Sequence, residues 1–337
     1  MAKTRFFPKF KKGLVDVTGK VFVITGTTSG TGYVAARTAA EFGGTVLLLN
    51  RKSKRVDDMI RNLTQDVPGG IFEIVECDLQ NFESVRKAIQ TIQSKYDKIY
   101  ALVNNAGIMA TPDEATVDGY DKQMQTNHLS HFLLTAELFP LLQAEAKANG
   151  DARIVNHSSL GRDHTPNGGL EEKYFGRNGG TGKLGDNRLK MMAGGPFERY
   201  FQTKLANSVF TYALHDKIRN SSNGRQTGTR NIRAVCAHPG GSDTNLADHL
   251  QFGFVMNSLM RLVTFMGMMQ SPEDGAMGII KGMMHPDAQS GVLYGPKNSG
   301  TKGKAVINKP KNYENNPASM SMLWRTSEAA TGVTFSM

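Results

Sequence analysis

The feature that most constrains this chain is an alternation that begins at Lys20. Short, almost unbroken apolar runs are each followed by a longer stretch with helical spacing. The runs are KVFVIT (20–25), TVLLLN (45–50), IFEIVEC (71–77), IYALVN (99–104), ARIVNH (152–157), IRAVCA (232–237) and GVLYG (291–295). Strands that are apolar along nearly their whole length belong to sheets covered on both faces. Their regular interruption by helices predicts parallel pairing with right-handed crossovers. The expected fold is α/β: a doubly wound parallel sheet of about seven strands, in one domain over 18–296.

Basic segments flank that domain. Residues 1–12 carry Lys3, Arg5, Lys9, Lys11 and Lys12 with no acid. Over 297–325, Lys297, Lys302, Lys304, Lys309, Lys311 and Arg325 stand against a single acid, Glu314. These two stretches account for the whole formal net charge of +10, so the body is close to neutral. Nucleic-acid binders more often carry a basic stripe on the folded face, and none is expected here. Residues 1–17 read as a basic extension and 297–337 as a basic tail wrapping the domain. With no long uncharged apolar run and no apolar core behind the basic start, the expected location is the cytoplasm. Cys77 and Cys236 are too few for a disulfide framework, and both close strand-like runs where a buried thiol is at home.

The first apolar run opens directly into TGTTSGTG, Thr25 to Gly32. Gly26, Gly30 and Gly32 remove the β-carbons that would hold a pyrophosphate away from the backbone. The helix that starts there offers unpaired N–H groups and a positive dipole end. The same turn carries Thr28, Ser29 and Thr31. A strand before and a helix after are the context that gives such a glycine pattern weight. The second run ends in Asn50-Arg51-Lys52, and no acid follows until Asp57. A site for NAD places a carboxylate near this point to meet the ribose 2′-hydroxyl, whereas Arg51 and Lys52 suit a 2′-phosphate. The expected cofactor is therefore NADP(H). Asp78 and Leu79 follow the third strand, where a carboxylate can meet the adenine edge, and Asn105-Ala106-Gly107 follow the fourth, where small residues let backbone lie against a dinucleotide.

Tyr200 and Lys204 are four apart in the helical pattern FERYFQTKLANSVFTYALHDKI, so both side chains face one side. A neighbouring ammonium favours phenolate over phenol and is expected to lower the tyrosine pKa, giving a general acid/base for an alcohol or carbonyl oxygen. Ser158 and Ser159 close the fifth strand at the end where open α/β sheets bind ligands. Asn127 lies in the long helix after the fourth strand.

In combination, TGTTSGTG, NNAG, the serine pair, YFQTK and HPGGSDT (238–244) resemble the short-chain dehydrogenase/reductase family over about 18–296. YFQTKLANSVF and LWRTSEAATG (323–332) are most similar to its retinol-dehydrogenase and WW-domain oxidoreductase branch, and protochlorophyllide reductases are a more distant likeness. The resemblance implies a Rossmann-like fold with helices on both faces of the sheet. It implies Tyr200 as proton donor/acceptor, with Lys204 binding the nicotinamide ribose and depressing the Tyr200 pKa. Ser159 would bind the substrate oxygen, with Ser158 the alternative if the register slips by one, and Asn127 would hold a relay water. Pro239, Gly240 and Thr244 would contact the nicotinamide end.

The chain departs from the family where Ser159 and Tyr200 lie 41 positions apart, which makes 161–197 an insertion beside the site. Its glycine-rich, polar sequence suggests a mobile loop, either a lid that sets specificity or a surface excursion. QFGFVMNSLMRLVTFMGMM (251–269), inside a substrate-binding segment 245–271, suits a wide lipophilic pocket, and core packing or a homo-oligomer contact would use the same residues. Expected substrates are retinoid-, isoprenoid-, sterol- or long-chain-aldehyde-like alcohols or carbonyls. Arg261, with Phe6, Phe7 and Phe10 among the N-terminal cations, would also suit peripheral contact with a membrane surface. His128 and His131 are three apart on a helix but lack a completing ligand, so no metal is expected. His157 and His164 are placed to contact substrate. The competing functions are a C=C reductase and a non-catalytic NADP(H)-sensing scaffold; the intact set Asn127, Ser159, Tyr200 and Lys204 favours turnover.

Overall fold

A computed structural model describes residues 2–188, 190, 193–241, 269–298 and 300–337. Among these residues, eight strands form one sheet in the order β3-β2-β1-β4-β5-β6-β7-β8. They are β1 (Val21–Thr25), β2 (Thr45–Asn50), β3 (Ile71–Glu76), β4 (Ala101–Asn104), β5 (Ala152–His157), β6 (Ile232–Ala237), β7 (Val292–Asn298) and β8 (Lys302–Asn308). Pairing is parallel from β3 through β7, and only β8 runs antiparallel, closing a hairpin with β7. The helices are α1 (Phe7–Lys11), α2 (Gly30–Glu41), α3 (Lys54–Asp66), α4 (Phe82–Gln93), α5 (Lys122–Met124), α6 (Ser130–Asn149), α7 (Gly195–Asn220), α8 (Pro272–Met284) and α9 (Pro317–Thr331). A π-helical turn, Gln125–Leu129, joins α5 to α6.

Alternate strand residues feed two cores. Phe22, Ile24, Val46 and Leu48 point to the face covered by α2, α3 and α8. Val23, Leu47, Leu102 and Ile154 point to the face covered by α4, α6, α7 and α9. The strand order reverses between β1 and β4, so the crevice at their carboxyl ends is where a doubly wound sheet binds ligands.

Both flanks differ from their expected form. The segment drawn as a basic tail supplies β8 and α9. Trp324 of α9 is buried, stacks on Phe335 at 5.0 Å between centroids and meets the Phe132 ring edge-on at 5.3 Å. The lysines of KGKAVIN hid β8, because an edge strand can keep cations in water while its alternate residues pair. At the other end, the Asp274 carboxylate of α8 accepts the backbone N–H groups of Arg5, Phe6 and Phe7 at 2.8–2.9 Å. Phe7 is buried, and Phe6 and Phe10 pack on the same core. The three rings proposed for a membrane surface are thus spent on the protein itself.

Candidate active site

The phosphate turn is held by backbone contact. Gly26 has φ +68°, and a β-carbon there would fall 2.7 Å from Ala106 Cα. One at Gly32 would fall 2.3 Å from the Gly26 carbonyl oxygen. Asn105 braces the turn by donating from Nδ2 to the Thr25 and Gly26 carbonyls at 2.9 and 3.0 Å and accepting from Thr31 Oγ1 at 3.0 Å. Thr25 Oγ1 takes the N–H groups of Asn105 and Ala106. Ser29 caps α2 with no side-chain bond to its first turn, so those N–H groups stay open to an anion. Thr28 and Gly30 lie in the same turn. The cradle fits a dinucleotide pyrophosphate.

Arg51 and Lys52 follow β2 and are exposed, and neither side chain has a hydrogen bond or ion pair among the described residues. Asp78 is half-buried, with Oδ1 accepting the Gln80 N–H, while Leu79 is buried in the core beneath it. Gly107 stands where a β-carbon would lie 3.1 Å from Lys204 Nζ and 3.2 Å from Asn127 Oδ1, so those two groups converge on it. Pro239 and Gly240 follow β6. The Gln270 amide donates to the Pro239 carbonyl, and Gly240, at φ +65°, packs against the Thr301 carbonyl of the β7–β8 turn. Thr244 and residues 251–268 of the methionine-rich segment lie outside the described residues.

The chemistry-bearing groups come together at the ends of β4, β5 and α7. Tyr200 and Lys204 share one face of α7 and both are buried. Lys204 Nζ lies 5.8 Å from the Tyr200 ring centroid and donates to the His157 carbonyl at 3.1 Å. The serine pair resolves by partner: Ser158 donates to the Lys204 carbonyl at 2.7 Å, which spends its proton, whereas Ser159 Oγ accepts the Gly161 N–H at 3.1 Å and turns its own proton to the Tyr200 phenol. Asn127 lies in the π-helical turn. Its Oδ1 accepts the Ile108 N–H at 2.8 Å, and its Nδ2 donates to the Ile108 carbonyl and to Thr203 Oγ1, both at 2.9 Å. The expected relay water would meet the second lone pair of that oxygen or the Asn127 backbone carbonyl, which lies 3.0 Å from His131 Nδ1.

The expected lowering of the tyrosine pKa is not what this arrangement gives. Burial pushes the Tyr200 phenol up to about 12, and the Ser159 hydroxyl offsets only part of that. Burial also pulls the Lys204 ammonium down to about 8. His157 is held neutral by burial, its pKa lowered to about 3, and its Nε2 is buried without a partner. His128 and His131 have no third ligand: His128 Nε2 meets Ser327 Oγ and His131 Nε2 meets Thr25 Oγ1, each at 2.9 Å. Among the described residues no cluster could hold a metal ion.

The residues missed from sequence are those that hold the site in place. Arg199 is fully buried against Asp121 at 3.5 Å. It donates to the carbonyls of Leu184, Gly185 and Asp186 in the insertion and to that of Thr111. Tyr174, Phe175 and Leu184 of the insertion are buried as well. The stretch expected to be a mobile loop is thus tied to the body of the domain at 174–175 and 184–186. Arg162 and Glu314 form a second buried pair, with Nε–Oε1 at 2.9 Å. The one signal for it in the sequence was an acid, Glu314, set just beyond the lysines of 297–311.

Comparison with known proteins came to the same fold from outside. A family model described as short chain dehydrogenase matches residues 20–169. The short-chain dehydrogenase/reductase drtF of Aspergillus calidoustus is 31% identical over 296 residues, 86% of this chain and 88% of that one. Human polyprenol dehydrogenase is 25% identical over 271 residues, 80% of this chain and 74% of that one. The solved structure of an uncharacterised protein from Mycobacterium paratuberculosis superposes with a TM-score of 0.70 at 28% identity, covering 100% of both chains.

Proposed function

The chain belongs to the short-chain dehydrogenase/reductase family of oxidoreductases, and from that premise we propose that it is an NADP(H)-dependent enzyme interconverting a lipophilic alcohol and its carbonyl. The observation that carries the reading is the convergence of Ser159, Tyr200 and Lys204 beside a glycine turn whose helix N–H groups stay open to an anion. Gly26, Gly30 and Gly32 with Thr28, Ser29 and Thr31 would hold the pyrophosphate, and Arg51 and Lys52 the 2′-phosphate. Asp78 and Leu79 would flank the adenine, Asn105, Ala106 and Gly107 the central backbone, and Pro239, Gly240 and Thr244 the nicotinamide end. The bound dinucleotide supplies the hydride.

Tyr200 keeps its proton at neutral pH, since its pKa is raised to about 12, and this favours the reducing direction, in which the phenol gives that proton to the carbonyl oxygen. Ser159 donates to the same oxygen and stabilises the charge that develops there. Lys204, at about 8, is mostly ammonium at pH 7 and offsets the phenolate that Tyr200 becomes. Similarity to a protein named for polyprenol supports a long apolar substrate over a sugar.

Titration with NADPH and NADH, read by fluorescence, tests the cofactor. NADPH should bind at least about tenfold more tightly, or about 1.4 kcal/mol. Arg51→Ala should erase most of that margin and leave NADH unchanged. Equal affinities in the wild type would remove the 2′-phosphate assignment, and binding of neither would favour a scaffold that has lost turnover.

A further inference from the structure

Ser159 caps a 3₁₀ turn, Leu160–His164, with its Oγ accepting the Gly161 N–H at 3.1 Å, and the placement of that turn against α7 decides where the hydroxyl stands relative to Tyr200. Arg162, within that turn, donates from Nη1 to the Ser159 carbonyl at 3.0 Å. The Arg162 guanidinium is buried, and its Nε pairs with Glu314 Oε1 at 2.9 Å. Glu314 is fully buried in the segment between β8 and α9, more than 150 positions from the loop it meets. The same Oε1 accepts the hydroxyl of Ser208, one helical turn beyond Lys204 on α7. Its Oε2 accepts the Lys311 N–H at 2.7 Å, which sets the carboxylate in its own segment. Asp163, next to Arg162, repeats the tie by accepting from Tyr313 Oη at 3.0 Å and pairing with Lys311 Nζ at 3.1 Å. One carboxylate therefore clasps the loop bearing Ser159 and the helix bearing Tyr200 and Lys204.

We propose that Glu314 is a positioning residue which, through Arg162, sets the Ser159 hydroxyl against Tyr200, so that the C-terminal segment completes the catalytic site. The proposal rests on the reading of Ser159 and Tyr200 given above. A buried acid that served stability alone would need only its ion pair. This one is placed between the two elements whose separation decides whether serine and tyrosine can share one substrate oxygen, and misplacement by about an ångström costs on the order of a hundredfold in rate.

The test uses full-length protein carrying tyrosine labelled with carbon-13 at the hydroxyl-bearing ring carbon, with the Tyr200 signal assigned by its loss in Tyr200→Phe. Ser159→Ala should displace that signal, Glu314→Leu should displace it comparably, and the double variant should move it no further than Ser159→Ala alone. Since Glu314→Leu strands a buried guanidinium, Arg162→Met/Glu314→Leu removes both charges together and should fold, with NADPH affinity within about twofold of wild type, yet show the same displacement. A wild-type signal in the paired variant, or additive displacements, would overturn the proposal. So would a signal that Ser159→Ala leaves in place. With NADPH and nonanal the paired variant should lose on the order of tenfold to a hundredfold in kcat while the KM for NADPH holds. A wild-type protein that oxidises no NADPH with nonanal would count against the proposed reaction, and the tyrosine signal would still decide the role of Glu314.

Discussion

The glycine turn and the proposed catalytic serine, Ser159, both lie at the carboxyl ends of the strands and are held by opposite means. The turn is a backbone object: Gly26 and Gly32 press against Ala106 and against each other, and the brace, Asn105, comes from the adjacent strand end. The serine is held by side chains from far along the chain, Arg162 to Glu314 and Glu314 to Ser208. A site can thus have one half fixed by local sequence and the other by how the chain returns upon itself. The C-terminal wrap belongs to the second kind, with Trp324 and Phe335 closing over α6 and α7.

That contrast can be broken at several points. Trp324→Ala empties the aromatic cluster and should cost about 3–5 kcal/mol of stability, seen as a fall in Tm, while NADPH binding to the folded protein stays as it was. A matching loss of affinity would mean that the wrap also supports the phosphate turn.

Lys204→Met should raise stability, because the wild-type ammonium is buried at a cost. Its pKa falls from 10.5 to about 8 on folding, a penalty of roughly 3 kcal/mol. Below pH 8 the group is charged in both states and the full penalty applies. Between 8 and 10.5 the folded state sheds its proton first, so wild-type stability rises with pH and the gap to the variant closes. Denaturant melts at pH 7 and pH 10 would show this, and a gap independent of pH would refute it.

Gly32→Ala puts a carbon where the Gly26 carbonyl and Asn105 Nδ2 already stand, at 2.3 and 2.4 Å. About 1–3 kcal/mol of overpacking is expected there, read as weaker NADPH binding with Ser159 and Tyr200 undisturbed. Wild-type affinity would show that the turn has room to spare.

The glycine turn was legible because its signals are contiguous: a strand, a run of glycines, then a helix. The positions of Tyr200 and Lys204 followed from helical spacing in the same way. What escaped was long-range. β8 was hidden by its lysines, which an edge strand tolerates. Arg199 read as an ordinary helix charge, and only the fold brings the carbonyls of the insertion to it. The raised Tyr200 pKa escaped because its cause is depth of burial, which helical spacing does not show.

The central claim is most directly tested by setting NADPH affinity beside NADPH-dependent carbonyl reduction in Tyr200→Phe. The expected result is wild-type affinity with turnover reduced by at least about a hundredfold, since the phenolic proton is lost and the ring is kept. Turnover within a few-fold of wild type would contradict the assignment of Tyr200 as proton donor, and with it the reaction proposed for the site.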